Sequence, residues 1–514
     1  MNPDVQKVNN PLSTETFTAG GTRFCLEQWR CLTSDNFILR TVAGATLDFD
    51  ANPAQLICPK PLRFSKTEFE ILDEQIVDFL AKGIVEKVVH TEPEFISNVF
   101  VRPKKNGSHR LILNLRDLND FIEYHHFKMD TIETVIGLMR QNCFMASLDL
   151  SNAYFSIPIA ETNRCFLKFL WKDVLYQFTV MPNGLTSAPR IFTKIFKPVY
   201  ASAKNGFIVC GYIDDSFLMA HSRDACHETV RHTRELFKSL GFCINEEKSV
   251  LTPSHKMEHL GFILDAVSMT VSLTENKRAK LIDKAHAVLE NKALTIRTLA
   301  ELIGLIVSSF TGAEYGQLHY RTLDFEKVLA LTKAKGNFDA VMYLSLDAKS
   351  EIQWWIDNVH TQCRNIDHGK FDYELTTDAS KEGWGAVLST GSDSGDSRST
   401  GGRWTVEEKQ WHINVLELKA AYMGLKSFCT DSHHSHIKLN MDNTTAIAYT
   451  THMGGSHSRQ CNGIAKDVWL FCIERNIWLT AAHLPRHLDV VADEKSRVFD
   501  DKTEWKLNAQ MLNI

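Results

Sequence analysis

Two stretches decide how this chain is read: ASLDLSNAYFSIPI at residues 146–159 and GYIDDSFLMA at residues 211–220. The apolar run Phe144–Leu148 has the length of a short strand and ends at Asp149. Residues Phe207–Ala220 read as a hairpin, two apolar strands meeting at Asp214-Asp215. An Asp-Asp pair between strands is by itself an ordinary turn, since Asp is favoured there. A third acid at another strand end changes the chemistry available. Phosphoryl transfer to a nucleotide uses two divalent ions about 3.5–4 Å apart. Magnesium takes carboxylate oxygens, and carboxylates at adjacent strand ends make a rigid cage for it.

Working outward, the chain carries SNVFVRPKKNGSHRLILNLRDLN (97–119), FTVMPNGLTSAPRIFTKIF (178–196), GFCINEEKS (241–249) and HLGFILD (259–265) around those two stretches. In this order the series closely resembles the motifs of reverse transcriptases. The resemblance implies a right-hand polymerase with fingers, palm and thumb. It makes Asp149 and Asp214 the main metal ligands, with Asp215 the third. Arg110, with Lys104 or Lys105, would grip the incoming triphosphate, a task suited to forked donors. Tyr154 would lie beneath the sugar, and Gly184 would let the backbone approach nucleotide and template. Lys248 would protonate the departing pyrophosphate. Asn183 departs from the family, where Gln or Phe is usual, so contacts to the nucleotide are expected to differ. Each of the basic residues can also be read as a solvated surface charge.

A second set of acids follows. Asp378 lies in ELTTDASKEGWGAVL (374–388), where strand-like residues precede a turn. Glu417 lies in INVLELKAAYMGL (413–425), where Val415, Leu418, Tyr422 and Leu425 form a helical stripe. Asp442 ends the run HIKLNMDN (436–443), and Asp493 sits in HLPRHLDVVADEKSR (483–497) near the start of a short terminal helix. Four acids so placed can converge on two metals that activate water. Singly, each would be a cap or a solvated residue, and Asn414-Val-Leu-Glu417 has the form of a capping pair. Together they resemble the D-E-D-D set of ribonuclease H over about Phe371–Val498. His483 falls where retroviral domains of that family carry a mobile histidine aiding product release.

The fold class expected is therefore α/β, a multidomain chain in which a right-hand polymerase precedes an RNase H-like mixed-sheet domain. The boundaries expected are an N-terminal extension over 1–61, fingers and palm over 62–271, thumb and helical connection over 272–370, the RNase H-like domain over 371–500, and a tail over 501–514. The stretch 64–80 reads as a helix with Phe69, Leu72, Ile76 and Leu80 on one face. Thr298–Glu301 has the form of a capping box. The Ser/Gly/Asp-rich segment Ser389–Gly402 reads as a long hairpin loop.

A formal net charge of −5 argues mildly against nucleic-acid binding. It is a weak test, because a carboxylate site is acidic by necessity and a basic groove can coexist with an acidic exterior. Lys277, Arg278 and Lys280 are candidates for such a groove. No apolar run approaches the ~18 residues of a membrane span, and MNPDVQKVNN lacks the apolar core of a secretory signal. Twelve scattered cysteines without C-x-x-C or zinc spacing read as reduced thiols of an intracellular protein, and the expected location is cytoplasmic or nuclear, within a retroelement ribonucleoprotein particle.

The segments FISNVFVRPKKNGSHRLILNLRDLN, HFKMDTIETV, TIRTLAELIGLIVSSF, EYGQLHYR and INVLELKAA look most like the DIRS group of retroelements, which recombine through a tyrosine recombinase; gypsy-type elements are related. The resemblance runs from about Gly20 and implies an RNA template, a DNA primer, RNA/DNA hybrid and dNTPs as partners. Two magnesium ions per site are implied, with manganese as a substitute. A capsid-like protein and a separately encoded recombinase are the expected protein partners; no protease, integrase zinc motif, methyltransferase or recombinase domain is read in this sequence, and such activities would belong to other reading frames or to parts trimmed away. One rival reading is a decayed copy kept as a nucleic-acid-binding scaffold; seven intact acids count against it. A purely DNA-templated polymerase is disfavoured by the second set.

Overall fold

In a computed structural model the strand carrying Asp149 runs from Phe144 to Ser151, inside a four-stranded sheet. The structure describes residues 17–60, 62–103, 107, 109–202, 208–390, 397–485 and 490–499. Lys104, Lys105 and the tail 501–514 lie outside them. The chain divides into two compact units, one of residues 1–260 with 264–268, the other of 261–263 with 269–514.

In the first unit the sheet order is Ile208–Tyr212, Asp215–Ala220, Phe144–Ser151, Cys243–Ser254, all antiparallel. Alternation along Phe144–Ser151 is weak because Met145, Ala146, Leu148, Asp149 and Leu150 are all buried, as in a strand covered on both faces. Helices Ala188–Ser202 and Arg223–Ser239 supply cover, with Phe192, Ile195, Phe196, Val230 and Phe237 in the core.

The first 61 residues show little periodicity, yet Leu26–Leu32 and Asn36–Gly44 are helices of the same core. Trp29 is fully buried; its indole N–H donates to the Leu240 carbonyl at 3.1 Å and its ring meets Phe242 edge-on. Helix Lys66–Ala81 starts from a capping box between Ser65 and Glu68. Of the expected face Leu72 and Ile76 are buried and Leu80 is half-buried against the core, with Phe79 buried beside it; Phe69 is 41% exposed and leans on Trp171 instead.

In the second unit helices Glu275–Glu290, Ile296–Val307, Arg321–Lys333 and Leu346–Asn358 form the expected helical stretch. The capping box at Thr298 is not what starts its helix. Thr295 is the N-cap, accepting from the Thr298 N–H at 3.2 Å, and Glu301 lies in the helix interior paired with Lys284. A threonine three residues upstream competes for the same role and wins because Ile296 and Leu299 are then buried.

A five-stranded mixed sheet follows, in the order Ser397–Arg403, Gly383–Thr390, Tyr373–Ala379, His436–Met441, Trp478–His483. The first three pair antiparallel and the last three parallel. Residues 397–402, expected in a loop, are instead all but the last residue of strand Ser397–Arg403, paired along Gly383–Ser389. Polar composition hid this strand, whose side chains are mostly exposed. Helix Ile413–Phe428 buries Val415, Leu418 and Leu425 on the sheet. Helix Val490–Arg497 lies against Gly383–Thr390 so closely that a Cβ at Gly385 would sit 2.1 Å from the Ala492 carbonyl oxygen.

Trp29→Ala should lower the unfolding free energy of the first unit by about 3–5 kcal/mol, the range for large aromatic core deletions. Urea unfolding followed by far-UV circular dichroism checks this. A loss under 1 kcal/mol (about a fifth of that range) would mean the N-terminal helices are not part of the core.

Candidate active sites

The first site is built where the Phe144–Ser151 strand meets its two neighbours. Asp149 stands directly opposite Asp215 on one side and Asn245 on the other. Tyr212 pairs with Asp215, leaving Ile213 and Asp214 as a two-residue turn. Ile213 has φ 55°, a left-handed conformation that a β-branched residue adopts only under strain. The turn is pinned by the Leu150 N–H, which donates to the Asp214 carbonyl at 3.0 Å. Three carboxylates are thereby gathered on one rim.

On the other side the register slips. Ser147 faces Val250 while Asp149 faces Asn245, so Glu246–Ser249 bulge out of the ladder. The bulge sets the Lys248 ammonium 3.8 Å from Asp149 Oδ2. It also lets the Asp149 N–H donate to Ser249 Oγ at 3.0 Å. The Asp149 Oδ1 atom is buried with no hydrogen-bond partner. An orphaned buried carboxylate oxygen among carboxylates is what a hard cation would satisfy.

Past Ser151, Asn152 turns the chain through a left-handed residue into the short 3-10 turn Ala153–Ser156. This brings Tyr154 against Phe192, ring centres 5.6 Å apart and edge-on. Asp214 and Arg110 are both close enough to act on its phenol electrostatically. Arg110 is exposed on strand His109–Leu113, paired with Arg102. Asn183 is half-buried, and Gly184 has φ 105° with its Cβ position only 2.7 Å from the Leu113 carbonyl oxygen. Asn119, which no sequence argument singled out, holds this loop. Its amide donates to the Gly184 carbonyl at 2.9 Å and accepts from the Thr186 N–H at 3.0 Å.

The second site sits at one end of the mixed sheet. Asp378 comes from strand Tyr373–Ala379, Asp442 follows strand His436–Met441, and Glu417 projects from helix Ile413–Phe428. Their ligand atoms lie within 4.8 Å of one another, in a cleft of about 830 Å³. The capping reading of Glu417 fails: His412 is the N-cap, and Glu417 is buried one turn further in. Asp378 Oδ2 is buried without a hydrogen-bond partner, the same fit to a cation as at the first site. Asp493 is not within this cluster. Arg497, one turn along its helix, donates to Asp493 Oδ1 from Nε at 3.0 Å and Nη2 at 2.7 Å. Sequence reasoning missed Arg497, which lines the cleft. His483 is exposed at the strand end beside Met441, next in line to Asp442.

Residues 102–264 match the family model described as reverse transcriptase (RNA-dependent DNA polymerase). The chain carries a reverse transcriptase domain. It is 21% identical over 463 residues to the putative enzymatic polyprotein of Cassava vein mosaic virus, covering 86% of this chain and 65% of that protein. It is 25% identical over 186 residues to the Transposon Tf2-3 polyprotein of Schizosaccharomyces pombe, covering 35% of this chain and 13% of that one. The chain thus spans less than two thirds of these relatives' length. The structure is similar to that of the foamy viral protease-reverse transcriptase in complex with RNA/DNA hybrid, with a TM-score of 0.51 and 14% identity, over 97% of this chain and 67% of that one. The fold class is as expected: mixed α/β, a polymerase fold followed by an RNase H-like domain.

Within the reverse transcriptase domain the three acids work against one another electrostatically. Burial first, then the charges of Asp214 and Asp149, push the Asp215 carboxyl up to about 6, with Lys248 offsetting part of it. Asp149 is also raised, chiefly by burial. A carboxyl raised in the folded state binds its proton more tightly there than in the unfolded chain. Its stability contribution is therefore present at low pH and lost as pH rises toward 6. In chelator, Asp215→Asn should raise Tm at pH 7.5 and leave it nearly unchanged at pH 4, with a gain on the order of 1–3 kcal/mol. Thermal melts of both proteins at the two pH values test it. An equal shift at both would exclude charge repulsion as the cause.

Proposed function

We propose that this chain is the polymerase of a DIRS-like retroelement, extending a DNA primer with dNTPs on RNA and then DNA templates, and cutting the RNA strand of RNA/DNA hybrids. One observation carries the reading: Asp149 faces Asp215 across a strand pair whose turn presents Asp214, inside the segment that matches reverse transcriptases. The foamy viral structure similar to this chain holds an RNA/DNA hybrid, the substrate assigned here.

Asp149, Asp214 and Asp215 would hold two magnesium ions, or manganese in their place; Asp378, Glu417, Asp442 and Asp493 would hold a second pair. Such ions, when bound, supply positive charge to the phosphoryl oxygens and ease deprotonation of the attacking hydroxyl or water. The chain's own residues do the rest. Arg110, with Lys104 or Lys105, clamps the triphosphate, and the loop of Asn183 and Gly184 admits the base pair. Lys248, on its bulge, is in position to pass a proton to pyrophosphate. His483, exposed at its strand end, assists departure of the cut RNA. Asp493, held by Arg497, would be the fourth acid of that set. Fingers and palm occupy 62–271, thumb and connection 272–370, and the nuclease 371–500. The protein works inside the cell, in a particle with a capsid-like protein, alongside a separately encoded recombinase.

The two activities should separate cleanly. Asp149→Asn or Asp214→Asn should abolish primer extension and spare hybrid cleavage, whereas Glu417→Gln or Asp442→Asn should do the reverse. Gel assays on one labelled RNA/DNA substrate read both at once. Loss of both activities in every variant would assign these acids to folding.

Tyr154 offers a finer test. With its ring under the sugar, a 2′ hydroxyl would lose water contacts without gaining a partner. Tyr154→Ala should raise the GTP to dGTP ratio of kcat/KM by at least about tenfold, equivalent to 1.4 kcal/mol of discrimination. If both efficiencies fall together at a constant ratio, Tyr154 is only a packing residue against Phe192.

A further inference from the structure

Helix Ala188–Ser202 has two working faces. Ile191, Phe192, Ile195 and Phe196 are buried inward, and Phe192 is the residue that meets Tyr154. Arg190, Lys194 and Lys197 recur at helical spacing on the opposite side, along about 10 Å of axis at 1.5 Å per residue. There they line a cleft of about 400 Å³, closed on its far side by His126 and Lys128. Aromatic rings accompany the cations: Phe127 lines the cleft, and beside it the Lys194 ammonium lies 3.6 Å from the Phe37 ring centre and the Arg190 guanidinium 5.8 Å.

The charge here is not cancelled. Two carboxylates face the cleft's cations. Asp48 pairs with Arg190 at 3.3 Å, and Asp35 is occupied in capping helix Asn36–Gly44 through the Phe37 N–H at 2.8 Å. Among the described residues no carboxylate pairs with Lys128, Lys194 or Lys197. In a chain whose net charge is −5, uncompensated cations gathered in one concave place act as an anion trap. A row of cations in a cleft that also carries the Phe127 ring and the exposed His126 ring suits a strand whose phosphates follow the cations and whose bases can stack.

We propose that this cleft is a second nucleic-acid site, holding the phosphate backbone of a single-stranded RNA on the face of the helix away from Tyr154. The site is independent of the catalytic reading above, because no catalytic residue lines it. It would retain RNA on the protein while the polymerase site is occupied by another duplex.

The test uses the full chain saturated with a primed RNA/DNA duplex, to which a labelled single-stranded RNA of about 12 nucleotides is added. Fluorescence anisotropy across a salt series should show a second RNA bound. The triple variant Lys128→Gln, Lys194→Gln, Lys197→Gln should weaken that binding at least about tenfold. Its log–log salt slope should be smaller by about 2, at about 0.7 per lost phosphate contact on a single strand. Primer extension on a short template should be unchanged, and the Lys→Arg triple variant should bind as the wild type does. Unchanged affinity and slope in the Gln variant would overturn the proposal. So would loss of binding in the Arg variant, which would indicate a packing role. A polyglutamate peptide that binds as tightly as RNA, with the same loss in the Gln variant, would overturn it too, since the cleft would then fit an acidic protein partner.

Discussion

Like charges held face to face across neighbouring strands are the constraint on which the first unit turns. Asp149 and Asp215 occupy paired positions, where two carboxylates repel. Nothing in the local sequence favours that arrangement. It is imposed by the apolar ladder on both sides: Leu148, Leu150, Phe217 and Leu218 are fully or almost fully buried. The sheet gains from burying those residues in one register only, and that register carries the acids with it. The strained Ile213 and the bulged Glu246–Ser249 segment follow from the same source. One lets the hairpin close with Asp214 on the rim, and the other lets a lysine reach over Asp149 without lengthening the sheet.

Much of this was legible in the sequence because the signals were short and apolar. Strands 144–151 and 215–220 announce themselves, as do the helical stripe at Val415, Leu418 and Leu425 and the strand before Asp442. What escaped was decided by competition between near-equivalent residues or by partners far away in the chain. Thr295 and Thr298 both have the chemistry of a cap, and burial of Ile296 selects the first. Phe69 and Phe79 are equally apolar, but only one points at the core, the other finding Trp171. Residues 397–403 have no apolar pattern because their strand lies at the sheet edge with its side chains mostly exposed. A bulge of the kind at Lys248 leaves no mark in composition.

The second site shows the difference between collecting residues and setting them. Three acids converge from a strand, a strand end and a helix without the fourth. Asp493 is bound by Arg497, a cation one helical turn away that partly answers the crowding of negative charge. The Lys277 and Arg278 side chains, read from sequence as groove contacts, are similarly engaged. Lys277 donates to the Ser308 carbonyl at 2.6 Å and covers Phe262, while Arg278 lies 3.8 Å from Glu275. A basic residue free to meet phosphate has to be recognised by its lack of a neighbour, which no one-dimensional pattern records.

The close seat of the terminal helix on Gly385 has a consequence for chain synthesis. Everything needed for the first site has left the ribosome once Lys248 and its strand have emerged. The five-stranded sheet, in contrast, cannot receive helix Val490–Arg497 until Asp493 and Arg497 exist. At roughly 5–20 residues per second that interval is on the order of ten to fifty seconds. A nascent chain therefore passes through a period in which the rim of Asp149, Asp214 and Asp215 can be assembled while the five-stranded sheet still waits for the helix that covers Gly385.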